Sequence, residues 1–311
     1  MEPHQIGIIG VGKIARDRHM PSIAADPAFN LVALANVAGA PPEGMIPAFG
    51  GYAEMLERVP ELQAVAICTP PGVRHSIARA ALLAGKHVLL EKPPAATPDQ
   101  VLDLHQLAEQ RRCVLFTAYH SHFNAAVDEA KRRLLGKTVT HLTVDWKEDV
   151  RKWHPGQDWI WRRGGFGVFD SGINALSILT KVLPRPVSVR HAELQFPGDA
   201  EAPIAATLHL GTGDSSGDWR VDFDWRPIAA EIREMAIVTD DGMQLKLSSS
   251  GGRLEINGVT VVAQERAEYD GIYRHFDVLL RNRTSDVDIR PLQLVADSFR
   301  LGRRTDHDSA Q

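Results

Sequence analysis

The chain has 311 residues, of which 44% are hydrophobic and 24% charged, values typical of a globular protein with room for two domains. Its formal net charge of −4 is spread without a basic block, and no apolar run reaches the ~20 residues of a membrane span, so neither nucleic acid nor a membrane is expected as a partner. Two cysteines, Cys68 and Cys113, exclude a disulfide framework and favour a reducing compartment, which predicts a cytoplasmic protein.

The amino terminus has the pattern of a strand, a tight turn and a helix. An apolar run over residues 5–9 precedes Gly10-x-Gly12-x-x-Ala15, and a helix is predicted to begin near Lys13. In this motif Gly10 permits the turn, Gly12 lets the backbone approach a pyrophosphate, and Ala15 allows the helix to pack closely on the strand. The free N–H groups at the start of the helix attract phosphates. The pattern therefore favours a dinucleotide site over a purely structural glycine turn.

The second predicted strand, residues 31–36, ends at the position that distinguishes NAD from NADP in folds of this kind. An acidic residue there would bind a ribose 2′-hydroxyl, and an arginine would favour a 2′-phosphate. This chain has Asn36 and Val37, which are neither. Because Asn36 can hydrogen-bond a ribose hydroxyl, the prediction leans to NAD but leaves NADP open. The loop at 39–44 is expected to face the adenosine.

Two later predicted strands end in residues suited to ligand binding. One ends at Thr69-Pro70 and the next at Glu91-Lys92-Pro93. A lysine at the carboxyl end of a parallel strand lies where open α/β sheets bind their ligands. Thr69, Pro70, Glu91 and Lys92 are therefore cofactor-binding candidates. His75, on the following helix, is a further candidate, although helix packing or capping is the favoured interpretation.

Strands and helices alternate up to about residue 120, which predicts a parallel, doubly wound sheet of the α/β class. The candidate strands are 5–9, 31–36, 64–68, 87–91 and 113–118, and the candidate helices are 13–25, 51–58, 73–85 and 98–111.

After residue 120 strand patterns dominate, with turn signals such as 213–217 and Asn257-Gly258, and predict an antiparallel sheet. The candidate strands are 138–147, 186–196, 203–210, 218–226, 231–239, 242–247 and 253–263, and helices are expected near 171–182, 270–282 and 290–303. Two domains are predicted. Residues 1–121 form a Rossmann domain, and residues 122–311 form an α+β domain with one large, mostly antiparallel open sheet. The carboxyl-terminal helices of the second domain could pack back on the first. A second subunit is expected to cover that sheet, which predicts a homo-oligomer, a dimer.

The second domain contains a cluster of aromatic and polar residues. Four of the six tryptophans lie within residues 146–161, together with Glu148 and His154. Asp170 and Asn174 follow, four residues apart and so on one helical face. Each residue alone has a structural interpretation as a cap, a polar face or part of the core. Their joint occurrence favours a sugar pocket, because sugars present both C–H patches and hydroxyls.

Three other residues are weaker candidates for this pocket. His120, after the last parallel strand, could point into a cleft, and Trp225 could reach the pocket or pack in the sheet. Zinc is the alternative for His120 and His122 near an acidic residue, but no cysteine or His-Glu-x-x-His spacing supports it, so no metal is expected.

Four motifs in order give the chain a resemblance to a known family. The Gly10–Ala15 turn, Thr69-Pro70-Pro71, Glu91-Lys92-Pro93 and Asp170-x-Gly172-x-Asn174 resemble those of the glucose–fructose oxidoreductase / inositol dehydrogenase (Gfo/Idh/MocA) family over nearly the whole length. Several segments look like those of its bacterial L-arabinose and D-galactose 1-dehydrogenase branch, namely 13–17, 146–151, 153–157, 167–170, 172–177 and 286–292. These enzymes oxidise an aldose at C1 to the lactone with NAD or NADP.

The resemblance implies roles for individual residues. Those that would contact the sugar are Lys92, Glu148, His154, Asp170 and Asn174. Trp153, from the tryptophan cluster, is a further candidate for the sugar pocket. Those that would hold the cofactor are Gly10, Gly12, Lys13 and Ile14. Much of the wider family has a histidine base where this chain has Asn174, and an amide cannot take a proton. The narrower branch shares the asparagine, and a hemiacetal hydroxyl is acidic enough to need a less specialised base. Lys92 is the favoured proton acceptor and Asp170 the alternative.

Three other functions stay open at this stage. A glycosidase of the same fold would use NAD transiently, without net oxidation. A cofactor-binding sensor would turn nothing over. A third possibility is a family member that acts on a polyol or another carbonyl compound.

Overall fold

The computed structural model describes residues 2–37, 46–162, 164–213, 219–264 and 268–307. The predicted loop at 39–44 lies outside these residues, as does most of the predicted turn at 213–217. The chain forms two compact units. The first comprises residues 1–120 and 267–289, and the second comprises 121–266 and 290–311.

Helices and strands alternate in the first half of the chain, and strands dominate the second half. The strands are β1 (His4–Val11), β2 (Phe29–Val37), β3 (Ala48–Phe49), β4 (Ala64–Ile67), β5 (His87–Glu91), β6 (Leu115–Ala118), β7 (Val139–Lys147), β8 (Ser188–Pro197), β9 (Ala205–Gly211), β10 (Trp219–Asp224), β11 (Ile232–Thr239), β12 (Gln244–Ser248), β13 (Arg253–Ile256), β14 (Val259–Ala263) and β15 (Gly302–His307). The helices are α1 (Met20–Ala25, directly after a π-helical segment, Ala15–His19), α2 (Tyr52–Arg58), α3 (Pro71–Leu83), α4 (Pro98–Arg111), α5 (Ala125–Leu134), α6 (Val150–Trp153), α7 (Phe169–Val182), α8 (Glu268–Asn282) and α9 (Arg290–Leu301). Among these described helices, none combines the length and the apolar character needed to cross a membrane.

The sheet of the first unit is parallel, with the strand order β3-β2-β1-β4-β5-β6. All side chains of β4 and β6 are buried, which explains why these strands are continuous apolar runs in the sequence. This order reverses direction beside β1, and a reversal of that kind opens a crevice at the carboxyl ends of the strands. The predicted doubly wound sheet is confirmed, and its carboxyl edge carries Gly10, Thr69 and Lys92.

The second unit holds a mixed, mostly antiparallel sheet in the order β14-β13-β12-β11-β7-β10-β9-β8-β15. Among the described strand pairs of this second sheet, only β7–β10 and β8–β15 are parallel. Helix α7 contacts β7 as well as α5 and α9. Every residue of α7 except Lys181 is buried, so its polar residues are held inside the unit. This helix carries Asp170 and Asn174.

Most element boundaries follow the sequence closely, although the short β3 and α6 were not predicted, and three further differences have a readable cause. The predicted elements omit α5, although its buried residues Ala126, Ala130 and Leu134 repeat at helical spacing and could have revealed it. The predicted strand at 253–263 is a hairpin, β13–β14, because Asn257 and Gly258 have positive φ values of 50° and 79°. The helix predicted to reach residue 303 ends at Leu301, where the chain becomes β15.

Candidate active site

The glycine-rich turn joins β1 to the first helical segment. Gly10 has a φ of 89°, and a Cβ on it would lie 2.7 Å from the backbone nitrogen of Thr69, so both conformation and space require glycine. A Cβ on Gly12 would meet no heavy atom within 4 Å in the described part of the chain. The backbone at Gly12 therefore borders open space that suits a pyrophosphate. This cradle fits the predicted dinucleotide.

The remaining predicted cofactor residues of the first unit lie around this turn or on nearby helices. Lys13 pairs with Asp17 one helical turn later, and the side chain of Ile14 is exposed. Asn36 has a positive φ, and its Oδ1 accepts the N–H of Tyr52 at 3.1 Å at the start of α2. Through that bond Asn36 caps the start of α2, a role additional to its predicted contact with the ribose.

Thr69 and Pro70 lie at the end of β4, where α3 begins. The Thr69 hydroxyl is buried and has no hydrogen-bond partner among the described residues. A buried hydroxyl without a partner is costly, which supports a ligand contact at this position. His75, in contrast, lies on α3 with its Nε2 2.7 Å from Oδ2 of Asp103 on α4, a contact that fastens two helices together.

Arg74 connects the ends of two strands and was missed by the sequence analysis. Its guanidinium is buried and donates to the carbonyl oxygens of Thr69, Glu91 and Pro93. One side chain therefore holds the carbonyl groups of the two residues that flank Lys92. No local pattern could reveal this, because Arg74 looks like an ordinary polar helix residue.

Lys92 follows β5 directly and is half-buried. Its backbone N–H donates to Oε2 of Glu91 at 2.7 Å. The Glu91 carboxylate is itself buried, and its Oε1 accepts from His19 at 3.0 Å and from the Tyr269 hydroxyl at 2.6 Å. Burial opposes ionisation of Glu91, but the hydrogen bond and charge of His19 outweigh it and lower the pKa of Glu91 to about 2. Glu91, predicted as a cofactor residue, is thus a buried anion behind Lys92.

In the second unit, Asp170 and Asn174 lie in the first two turns of α7. Both are buried, and Oδ2 of Asp170 is 3.4 Å from Nε2 of His154. Asn174 is 9% exposed, and its Oδ1 has no hydrogen-bond partner within the described ranges. A buried acceptor without a protein donor is able to accept a hydrogen bond from a ligand hydroxyl. The structure therefore places Asp170 beside His154, and Asn174 one turn further along α7; the sugar pocket stays a prediction.

Trp225 packs behind this group and is fully buried. Its ring lies 4.9 Å from that of His154, and its Nε1 donates to the Ser171 hydroxyl at 2.7 Å and to Oε1 of Glu148 at 3.3 Å. Trp225 thus supports His154 and Glu148 from behind. The sequence left open whether Trp225 reaches the pocket or packs in the sheet. In the structure it is fully buried and contacts the sugar-site candidates Glu148 and His154.

Glu148 is held by a second partner that the sequence did not reveal. Its Oε2 accepts from Nε and Nη2 of Arg233 at 3.0 and 2.6 Å. The Arg233 guanidinium also lies over the ring of Trp153, 5.1 Å from its centre. Nε1 of Trp153 donates to Oε1 of Glu231 at 2.9 Å. The two predicted sugar residues Glu148 and Trp153 are therefore joined through Arg233.

The two predicted histidines after β6 have separate surroundings. His120 stacks on Tyr269 with ring centres 5.6 Å apart, and its Nδ1 is 3.4 Å from Oε1 of Glu268. His122 places Nε2 2.9 Å from the Ser177 carbonyl oxygen. Within the described residues, no group of three or more histidine, cysteine or acidic side chains is arranged to hold a metal ion.

Comparison with known proteins shows the family to which the chain belongs. Residues 4–119 match the sequence model of a protein family described as "Oxidoreductase family, NAD-binding Rossmann fold". The galactose 1-dehydrogenase of Pseudomonas fluorescens is 44% identical over 305 residues, which are 98% of this chain and 97% of that protein. The chain belongs to the Gfo/Idh/MocA oxidoreductase family.

Solved structures extend this family relationship to both units. The crystal structure of a D-galactose-1-dehydrogenase from Rhizobium etli superimposes with a TM-score of 0.93 at 44% identity, covering 100% of this chain and 99% of that one. The 3-ketoreductase KijD10 from Actinomadura kijaniata, solved with NADP, gives a TM-score of 0.82 at 18% identity over 98% of this chain and 99% of its own, a likeness of fold alone. The predicted family, the Rossmann domain with a second sheet domain, and the assignment as an NAD(P)-dependent dehydrogenase are confirmed.

Proposed function

We propose that this Gfo/Idh/MocA protein is an aldose 1-dehydrogenase that oxidises D-galactose, D-fucose or L-arabinose at C1 to the lactone. The observation that carries the proposal is the 44% identity to a galactose 1-dehydrogenase over 98% of the chain. The buried Asp170 and Asn174, with the half-buried His154 beside Asp170, support it, because a carboxylate, an amide oxygen and an imidazole suit sugar hydroxyls. Galactose and arabinose share their ring configuration and differ by a hydroxymethyl group, so one pocket with an open edge would admit both.

The first unit would hold the cofactor at the carboxyl edge of its sheet. The residues proposed for this are Gly10, Gly12, Lys13, Ile14, Asn36, Thr69, Pro70, His75, Glu91 and Lys92. When bound, NAD(P) supplies the acceptor for a hydride. We keep a slight preference for NAD, because an asparagine at position 36 suits a ribose hydroxyl better than a phosphate.

Lys92 is the proposed acceptor of the proton from the C1 hydroxyl. A neutral amine can take that proton, whereas the amide of Asn174 can only hydrogen-bond. Asp170 remains the alternative acceptor because its carboxylate is buried beside His154. Asn174 would hold the hydroxyl through its unpaired Oδ1.

Specificity for the sugar would depend on His154, Trp153, Glu148 and His120. Both oxygens of Glu148 already accept hydrogen bonds from protein groups, so we propose that Glu148 acts on the sugar mainly by fixing Trp225 and Arg233. Replacing Glu148 by alanine should then raise KM for the sugar more than it lowers kcat.

The test is the absorbance at 340 nm of purified protein with NAD and NADP in parallel. The panel is D-galactose, D-fucose, L-arabinose, D-xylose, D-glucose and myo-inositol. We expect NAD(P)H to form with the first three sugars and ¹³C NMR to show the lactone. A flat trace with every aldose and either cofactor would overturn the proposal. Activity on inositol alone would indicate a polyol dehydrogenase, and cleavage of a galactoside without net NADH would indicate the glycosidase.

A homodimer and a cytoplasmic location also stay proposals. The dimer is inferred from the open sheet of the second unit and the location from the free cysteines. Light scattering at micromolar concentration should give twice the mass of one chain, and a monomer mass would refute the dimer.

A further inference from the structure

A buried polar cluster lies behind the end of β5 in the first unit, and nothing in the proposed chemistry uses most of it. It consists of His19, Glu91, Tyr269 and Tyr273, with exposures of 0, 2, 6 and 0%. These residues come from the first helical segment, the end of β5 and α8. Burying a carboxylate and an imidazole together is costly unless every group is satisfied.

The hydrogen bonds of this cluster converge on Glu91. Because an ionised carboxylate can only accept, Nε2 of His19 donates to Oε1 of Glu91 at 3.0 Å. Nδ1 of His19 lies 2.8 Å from the Tyr273 hydroxyl oxygen, within hydrogen-bond distance. The Tyr269 hydroxyl donates to the same Glu91 oxygen at 2.6 Å. Both tyrosine rings also meet the His19 ring edge-on, with centres 5.0 and 5.9 Å away. Glu91 Oε1 is therefore fixed by two donors whose own rings are packed in place.

The other Glu91 oxygen connects the cluster to Lys92. Oε2 accepts the backbone N–H of Lys92 at 2.7 Å, so the carboxylate sets the orientation of the peptide group from which the lysine side chain starts. On the opposite side, the Arg74 guanidinium donates to the carbonyls of Glu91 and Pro93. The short stretch of backbone around Lys92 is thus held by buried side chains from both directions.

Stability alone does not account for such a cluster. A buried ion pair contributes little net stability, and apolar residues of similar size would often serve as well or better. Small displacements of a reacting group, by contrast, are costly, since about 1 Å can lower a rate about 10²-fold. Glu91, held rigidly one residue before the proposed proton acceptor Lys92, would limit such displacements.

We propose that His19 and Tyr269 are positioning residues that act on Lys92 through Glu91. The inference rests on the proposed function, because only there is Lys92 the proton acceptor. Neither residue needs to touch the sugar or the cofactor.

The test compares Tyr269→Phe, His19→Leu and His19→Gln with Ser22→Ala as a matched control. The Ser22 hydroxyl donates to Oδ1 of Asp270 at 2.7 Å, so it links α1, directly after the segment that carries His19, to α8 but does not reach Glu91. Steady-state kinetics with galactose, melting temperature and the hydrogen exchange of the Lys92 amide, resolved by NMR, are measured for each.

We expect kcat to fall by about ten- to hundredfold in Tyr269→Phe and His19→Leu, with KM for sugar and cofactor within about twofold. His19→Gln, which can still donate to Glu91, should recover part of that loss. The Lys92 amide should exchange faster wherever kcat falls. In a Lys92→Ala background the same substitutions should cause no further loss, because their effect passes through the lysine. Ser22→Ala should match the parent in kcat and in exchange.

The inference fails if kcat falls only in proportion to the folded fraction, if the loss persists in the Lys92→Ala background, or if the Lys92 amide exchanges at the parent rate. Failure of the proposed function looks different. A parent protein without activity on any aldose refutes the dehydrogenase, while faster Lys92 exchange in His19→Leu but not in Ser22→Ala would still establish the anchor.

Discussion

The pair Arg233–Glu148 gives the most direct test of how the second unit holds its site. In Arg233→Met the Glu148 carboxylate stays buried but loses its charge partner, since the two side chains are only 13 and 4% exposed. Removing one member of a buried ion pair costs about 3–5 kcal/mol. Trp225 still donates to Glu148 at 3.3 Å, which places the expected loss near the lower end. For a unit of this size, about 3 kcal/mol lowers Tm by about 6–12 °C.

Urea unfolding at neutral pH and calorimetry measure the loss, with two further variants for comparison. Arg220→Met is the matched control, because Arg220 pairs with Asp222 on β10 at 2.7 Å but is 58% exposed, and such a pair is worth about 0–1 kcal/mol. The double variant Glu148→Leu/Arg233→Met removes both charges and should regain much of the stability. A loss in Arg233→Met no larger than that of the control would refute the reasoning that burial makes this pair costly to break.

Three other predictions concern the first unit. Lys92→Ala should lower kcat by about 10²–10⁴-fold with little change in KM, and near-normal turnover would eliminate Lys92 as the proton acceptor. Gly12→Ala has room for its methyl group, so Tm should hold while the Kd for NAD(P), measured by fluorescence titration, rises at least about tenfold; unchanged affinity would remove the phosphates from this turn. Burial, with the charges of Arg283 and His4, lowers the pKa of His87 from 6.5 to about 4, so its contribution to the free energy of unfolding is present above pH 6.5 and lost as pH falls towards 4. The neutral variant His87→Gln, which can still accept the N–H of Val114, should flatten that part of the pH–stability curve, and an unchanged slope would assign it to other groups.

Features that depend on a few neighbouring residues were readable in the sequence. The turn at Gly10 and Gly12, the strand that ends at Glu91, and the helix that carries Asp170 and Asn174 lie where the sequence predicts them. Local rules suffice for these, because turn chemistry and apolar periodicity act over a few residues. The family motifs added candidate roles for these residues, and the proposals above build on those roles.

Tertiary structure alone decided which partners these residues have. Arg233 meets Glu148 across 85 positions of sequence, and Tyr269 meets Glu91 across 178. The pattern of β15, with its run of charged residues, predicts no strand, and it forms one by pairing with β8. Local sequence patterns were enough to predict a Rossmann sheet followed by a second sheet domain, and they named most of the candidate site residues. The chain topology, by bringing distant segments side by side, decided which of those residues are paired and buried, because hydrogen bonds and ion pairs depend on distance in space and leave no mark in local sequence.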